Sequence, residues 1–183
     1  MVDRTDVKEF IQSLIIAGIL AFFIITFVAQ SFVVDGASME PTLHDGERLF
    51  VNKFIYRFHP PERDDIIVFT PHGRPGVKFI KRVIGLPGET VRVYNGKTYV
   101  DGKPLSENFI NEPMDSYRNF GPERVPENKV FVMGDNRNKS TDSRIKNIVG
   151  YVDYSSISGK AFWVYWPLGN MRILKHSEEE IKS

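Results

Sequence analysis

Between Glu9 and Asp35 the chain carries no charge, and from Phe10 to Val34 only Gln12, Ser13, Thr26, Gln30 and Ser31 are polar. About 20 apolar residues in an α-helix span a hydrocarbon core roughly 30 Å thick, so this run predicts a transmembrane helix over 10–34. A cleaved secretory leader is the competing reading, because Ala29-Gln30-Ser31 has small-x-small spacing. The run is longer than the ~7–15 residues of a leader's apolar core, which favours a retained helix. Arg4 and Lys8 precede the run, and no basic residue follows it until Arg48. That asymmetry predicts a cytoplasmic N-terminus over 1–9 and a single-pass chain whose remaining residues are extracytoplasmic.

The chain has 183 residues, and the part beyond the run is long enough to bury a core without staples. Cysteine is absent, which excludes a disulfide framework, a thiol nucleophile and Cys-ligated zinc. Lys and Arg number 24 against 23 Asp and Glu, so there is no broad pull towards nucleic acid and no such partner is expected. His44, His59, His72 and His176 lack any H-x-x-x-H spacing, and neither a metal nor another cofactor is expected.

Beyond the run the pattern is β. Leu49–Phe58, Ile66–Thr70, Val77–Ile84, Thr90–Tyr94, Thr98–Val100, Lys129–Met133 and Lys160–Trp166 are rich in Val, Ile, Phe and Tyr and are separated by Gly, Pro and Asn. Asn95-Gly96 and Asp101-Gly102 mark tight turns. Short strands and frequent turns predict a mainly β domain over 35–175, an antiparallel sheet or partly open barrel. Within it, about 95–128 reads as a polar excursion, and 176–183 as a charged tail. The aromatic run Phe162-Trp163-Val164-Tyr165-Trp166 reads as core strand, with rings resting in a lipid interface as the alternative.

Three clusters carry chemistry. The turn Gly36-Ala37-Ser38-Met39-Glu40-Pro41-Thr42-Leu43 presents Ser38 just past the apolar run, with Pro41 stiffening the backbone after it. Counted from Val34, the serine lies within about 15 Å of the helix end. In Val77-Lys78-Phe79-Ile80-Lys81-Arg82-Val83-Ile84-Gly85, strand alternation groups Lys81 with Val77, Phe79 and Val83, leaving Lys78 and Arg82 for ion pairing. Burial on an apolar face lowers a lysine's pKa and frees the amine to accept a proton; the alternative is an edge lysine that snorkels to water. The third cluster, Gly134-Asp135-Asn136-Arg137-Asn138-Lys139-Ser140-Thr141-Asp142-Ser143-Arg144, is a polar loop after an apolar strand.

Taken in order, these clusters and the N-terminal run resemble the type I signal peptidases, membrane-bound serine proteases with a Ser/Lys dyad, in their compact Gram-positive form. The resemblance implies Ser38 as nucleophile, its backbone N–H as an oxyanion donor and Lys81 as general base. It also implies Ser140 as a hydroxyl orienting the lysine, with Arg82, Asp135, Asp142 and Arg144 as supporting ion pairs. Its implied partners are the lipid bilayer and exported preproteins, cleaved after a small-x-small sequence at the outer membrane surface. Gly36 departs from relatives with serine there, whose hydroxyl helps bind the oxyanion; Glu89 and Asp64 replace the usual Asp and Gly. Two rivals remain at this level: a self-cleaving Ser/Lys repressor, which would carry a DNA-binding domain in place of the apolar run, and a tethered, non-catalytic β-domain.

Overall fold

The computed structural model describes residues 4–27 and 29–174. Helix α1 (Arg4–Phe27) gives way almost at once to strand β1 (Ala29–Val33). The apolar run is therefore divided, and the single helix expected as far as Val34 stops at Phe27. The cause is pairing: β1 runs antiparallel to β2 (Arg48–Asn52), Ala29 opposite Asn52 and Val33 opposite Arg48. The strand gains backbone partners that a fraying helix end lacks, and the Ser31 hydroxyl meets the Tyr165 hydroxyl at 2.7 Å. Ser38 is therefore not tied closely to the helix end, since all of β1 lies between them. Among the described residues no helix is long and apolar enough to cross a membrane. Side chains of α1 are described for 7–20, and Phe10, Leu14, Ile15, Ile19 and Leu20 among them are exposed. The tail expected at 176–183 lies outside the described residues.

Asn52 ends β2 earlier than its apolar pattern suggested. Its Oδ1 accepts the N–H groups of Phe54 at 2.9 Å and Ile55 at 3.2 Å, turning the chain into a 3-10 turn at Ile55–Arg57. The remaining strands in chain order are β3 (Ile66–Phe69), β4 (Phe79–Gly85), β5 (Thr90–Tyr94), β6 (Lys97–Val100), β7 (Lys103–Pro104), β8 (Phe120–Arg124), β9 (Lys129–Met133), β10 (Val152–Asp153), β11 (Ile157–Trp166) and β12 (Arg172–Ile173). They form an open antiparallel sheet in the order β1-β2-β11-β3-β4-β9-β10, with β12 on β11, and a smaller sheet in the order β7-β6-β5-β8.

The stretch 95–128 is thus no excursion, because it supplies β6, β7 and β8 of the second sheet. Val91, Val93, Met114, Phe120 and Val125 there pack on Ile84, Phe131 and Met133 of the main sheet. Polar residues on its outer face, Pro122 and short strands mask this pattern in sequence. β3 lies near the centre and is buried on both faces: Ile66 and Val68 enter one cluster with Leu49, Val51 and Val164, while Ile67 and Phe69 enter another with Val83 and Val132.

Strand β11 pairs with β2, β3 and β12, and irregularities in its register let one long strand bend to serve all three. At Gly159 (φ +155) any Cβ would collide with the Asn52 carbonyl. The aromatic run is only half core. Ala161 and Val164 are buried, whereas Phe162, Trp163 and Trp166 are 37%, 38% and 49% exposed, forming an outer face that continues onto Phe50.

Candidate active site

Ser38 lies on the loop 34–47 that joins β1 to β2. Val34 N–H donates to the Glu47 carbonyl (2.8 Å) and Gly46 N–H to the Val34 carbonyl (3.0 Å), closing the base of the loop. Leu43 N–H donates to the Met39 carbonyl at 2.9 Å, and both side chains are fully buried in the core shared with Leu49 and Val164. Burying each contributes about 1.5–3 kcal/mol, so the residue after Ser38 pins the turn from below.

Gly36 has φ +83, a region where a side chain is strained, and its N–H donates to Asp45 Oδ1 at 2.7 Å. That donor is already engaged. The Ser38 N–H makes no hydrogen bond among the described residues.

Lys81 comes from β4, opposite Ile67 of β3, and is only 3% exposed. Its Nζ lies 2.7 Å from Ser38 Oγ and 2.8 Å from the Ile80 carbonyl, with the Phe79 ring centroid 5.3 Å away. Burial drives the amine down to about 8, against the charges of Asp142 and Asp135, which pull it upward. Roughly a tenth of Lys81 is then neutral at pH 7. In that form an N–H still serves Ile80, and the lone pair can accept the Ser38 hydroxyl proton.

The neighbour in sequence points elsewhere. Arg82 forks onto Asp135 (Nε to Oδ1 2.8 Å, Nη2 to Oδ2 2.6 Å), reaches the Asp64 carbonyl at 3.1 Å and Thr42 Oγ1 at 3.3 Å, and lies over the Phe109 ring. Lys78, expected to pair ionically, instead donates to the Thr70 and Ser158 hydroxyls, and Val77 stays outside β4 and exposed.

The loop after β9 braces the backbone of Ser38. Asp142 is fully buried and grips Arg144 through two 2.8 Å contacts. Burial pushes its carboxyl up, but the Arg144 fork and charge and the Gly134 N–H outweigh burial and hold it below the usual range. Ser140 is buried alongside. Its hydroxyl makes no geometric hydrogen bond among the described residues, and the expected contact to Lys81 is not made. Besides Ser38, the Lys81 amine meets the Ile80 carbonyl.

Residues that sequence reasoning assigned no role complete the brace. Asn136 N–H donates to the Ser38 carbonyl at 3.2 Å. Gly134 is squeezed between that carbonyl and Ser140, with no room for a Cβ. Its N–H donates to Asp142 and its carbonyl accepts Arg137 Nε at 3.0 Å. A glycine directly after an apolar strand was the available signal, since it marks close backbone approach.

Residues 7–166 match the family described as signal peptidase, peptidase S26. Signal peptidase I of Leptolyngbya laminosa is 44% identical over 174 residues, covering 91% of this chain and 83% of that one. Signal peptidase I of Bacillus licheniformis is 40% identical, covering 92% and 94%. Signal peptidase I S of Bacillus subtilis is 38% identical, also covering 92% and 94%. The chain belongs to the signal peptidase family, peptidase S26, and is a serine peptidase.

Proposed function

We propose that this protein is a membrane-tethered endopeptidase that removes N-terminal signal peptides from exported preproteins, with Ser38 as nucleophile and Lys81 as general base. The observation that carries the reading is the 2.7 Å contact between Ser38 Oγ and a buried Lys81 Nζ. A serine hydroxyl is a weak nucleophile until a base within ~2.6–3.2 Å takes its proton.

Ser38 Oγ attacks the scissile carbonyl carbon as its proton passes to Lys81 Nζ, and the carbonyl electron pair moves onto oxygen. The unengaged Ser38 N–H is suited to meet that oxyanion. The intermediate collapses, breaking the C–N bond, and the Lys81 ammonium protonates the departing amine of the mature protein. Lys81 then deprotonates a water that attacks the ester, releasing the signal peptide and restoring Ser38. Asp142–Arg144 and Arg82–Asp135 hold the surrounding loops, and neither pair reaches the reacting atoms.

The substrate segment is extended and adds along the enzyme's strands, with shallow pockets that accept small side chains at alternate positions. The tether is α1, with its N-terminus cytoplasmic and the β domain outside. In support, 24 helical residues rise roughly 36 Å, and the described apolar side chains of α1 stand exposed rather than packed on the sheets. The exposed rings of Trp163 and Trp166 are suited to rest in the lipid interface.

Ser38→Ala and Lys81→Ala should each abolish cleavage of a preprotein by the folded full-length chain in vesicles. Wild-type activity should climb about tenfold from pH 7 to a plateau above pH 9, following an amine near 8. Processing retained by either variant would refute the dyad, and a profile governed near pH 6.5 would assign the base to a histidine.

A further inference from the structure

We propose that Arg172, on the last described strand and beyond the family-matched residues 7–166, is a positioning residue for the Ser38–Lys81 pair, acting through the loop 34–47. The inference rests on the dyad reading above. It adds a C-terminal clamp that none of the three sequence clusters contains.

The clamp is built around a buried carboxylate. Glu47 ends the loop and is 1% exposed. Its Oε1 accepts Arg172 Nη1 at 2.8 Å and Asn170 Nδ2 at 3.2 Å, and its Oε2 accepts Arg172 Nη2 at 2.6 Å and the His44 N–H at 3.0 Å. Burial raises the Glu47 carboxyl, but Arg172 and the His44 amide outweigh burial and keep it ionised. The same Arg172 Nη2 donates to the Thr42 carbonyl at 2.6 Å. One guanidinium therefore ties the end of the loop to its middle, using the planar fork that lysine lacks.

Thr42 is the link to the dyad. Its carbonyl is held by Arg172 and its hydroxyl by Arg82, the residue beside Lys81 on β4. Arg172 is itself fixed by the sheet: it stands opposite the buried Val164 of β11, and Leu174 N–H donates to the Phe162 carbonyl at 2.9 Å. The loop is thus gripped by Asn136 at the Ser38 carbonyl and by β12 at Thr42 and Glu47. Proton transfer depends on Ser38 Oγ staying in reach of Lys81 Nζ, and a loop freed on one side loses that registration.

The test is steady-state cleavage of a preprotein by the full-length chain in vesicles, with unfolding midpoints measured in parallel. Arg172→Gln is expected to lower kcat by about 10²-fold with KM little changed. It should also move the acid limb of the pH profile above its parent position near 8, as water gains access to Lys81 beside Asp142 and Asp135. Arg172→Lys should recover only part of kcat. If Arg172→Gln does not fold, Asn170→Ala removes one Glu47 contact while leaving the fork, and it should show a smaller kcat loss with the same direction of pH shift.

A folded Arg172→Gln with parental kcat and pH profile would overturn the proposal. So would a kcat loss matched by the unfolded fraction with the profile unmoved, or a parental Asn170→Ala where Arg172→Gln does not fold. Ser38→Ala run alongside separates the two readings. If Ser38→Ala is inactive and Arg172→Gln is parental, only the clamp fails; if Ser38→Ala still cleaves, the dyad fails.

Discussion

Replacing Lys81 with methionine should abolish cleavage and, at neutral pH, relieve the fold of a cost. Lys81 is 3% exposed and its amine is held near 8, against an ordinary value of 10.5. Below pH 8 the folded protein carries a buried ammonium that the unfolded chain hydrates freely. Each tenfold loss of proton affinity corresponds to about 1.4 kcal/mol, so the penalty at pH 7 is about 3 kcal/mol. Between 8 and 10.5 the unfolded chain binds the extra proton, so stability rises with pH and the penalty fades. Methionine has no such titration, but it forfeits the donor to the half-buried Ile80 carbonyl, at a cost of up to about 1 kcal/mol. That loss does not depend on pH.

The decisive quantity is therefore a double difference. In denaturant unfolding of the full chain in detergent at pH 7 and pH 10, the stability of Lys81→Met relative to wild type should fall by about 2–3 kcal/mol on going to the higher pH. Other groups that titrate in this range, such as Tyr151, whose hydroxyl burial pushes up to about 12, are common to both proteins and cancel. A relative stability that is the same at both pH values would show that the amine is not held dry, and the mechanism built on it would go with it.

Asp135→Asn leaves the Arg82 guanidinium, whose side chain is 4% exposed, without its carboxylate; unfolding measurements should show a loss of about 3–5 kcal/mol. Gly134→Ala forces a methyl group against the Ser38 carbonyl and Ser140, and kcat should fall about 10²-fold with KM little affected, as expected for a displaced nucleophile. Trp163→Ser with Trp166→Ser should weaken vesicle binding of a variant lacking α1, and unchanged binding would remove the lipid-interface role of these exposed rings.

Much of the fold was legible because local patterns decided it. The Asn95-Gly96 turn joins β5 to β6 with both residues at positive φ, and the Val/Ile-rich runs became β3, β4, β5, β6 and β9 nearly at their expected bounds. Strands β1, β8 and β12 were not legible. Each is short, polar or proline-bearing, and each exists because a neighbouring strand satisfies its backbone. The same contrast holds at the site: Ser38 beside a proline-stiffened turn and Lys81 in an apolar strand could be picked out by residue type and periodicity.

Sequence by itself determined the materials: an uncharged apolar segment ahead of a cysteine-free β domain, a serine in a turn, and a lysine whose neighbours would dry it. Tertiary structure alone decided that Lys81 Nζ reaches Ser38 Oγ, that the same amine meets the Ile80 carbonyl, and that Arg172 closes over Thr42 from a distant segment of the chain. The physical reason is range. Propensity and alternation act over a few residues, whereas a hydrogen bond between positions 42 and 172 exists only after the sheet has folded those distant segments together.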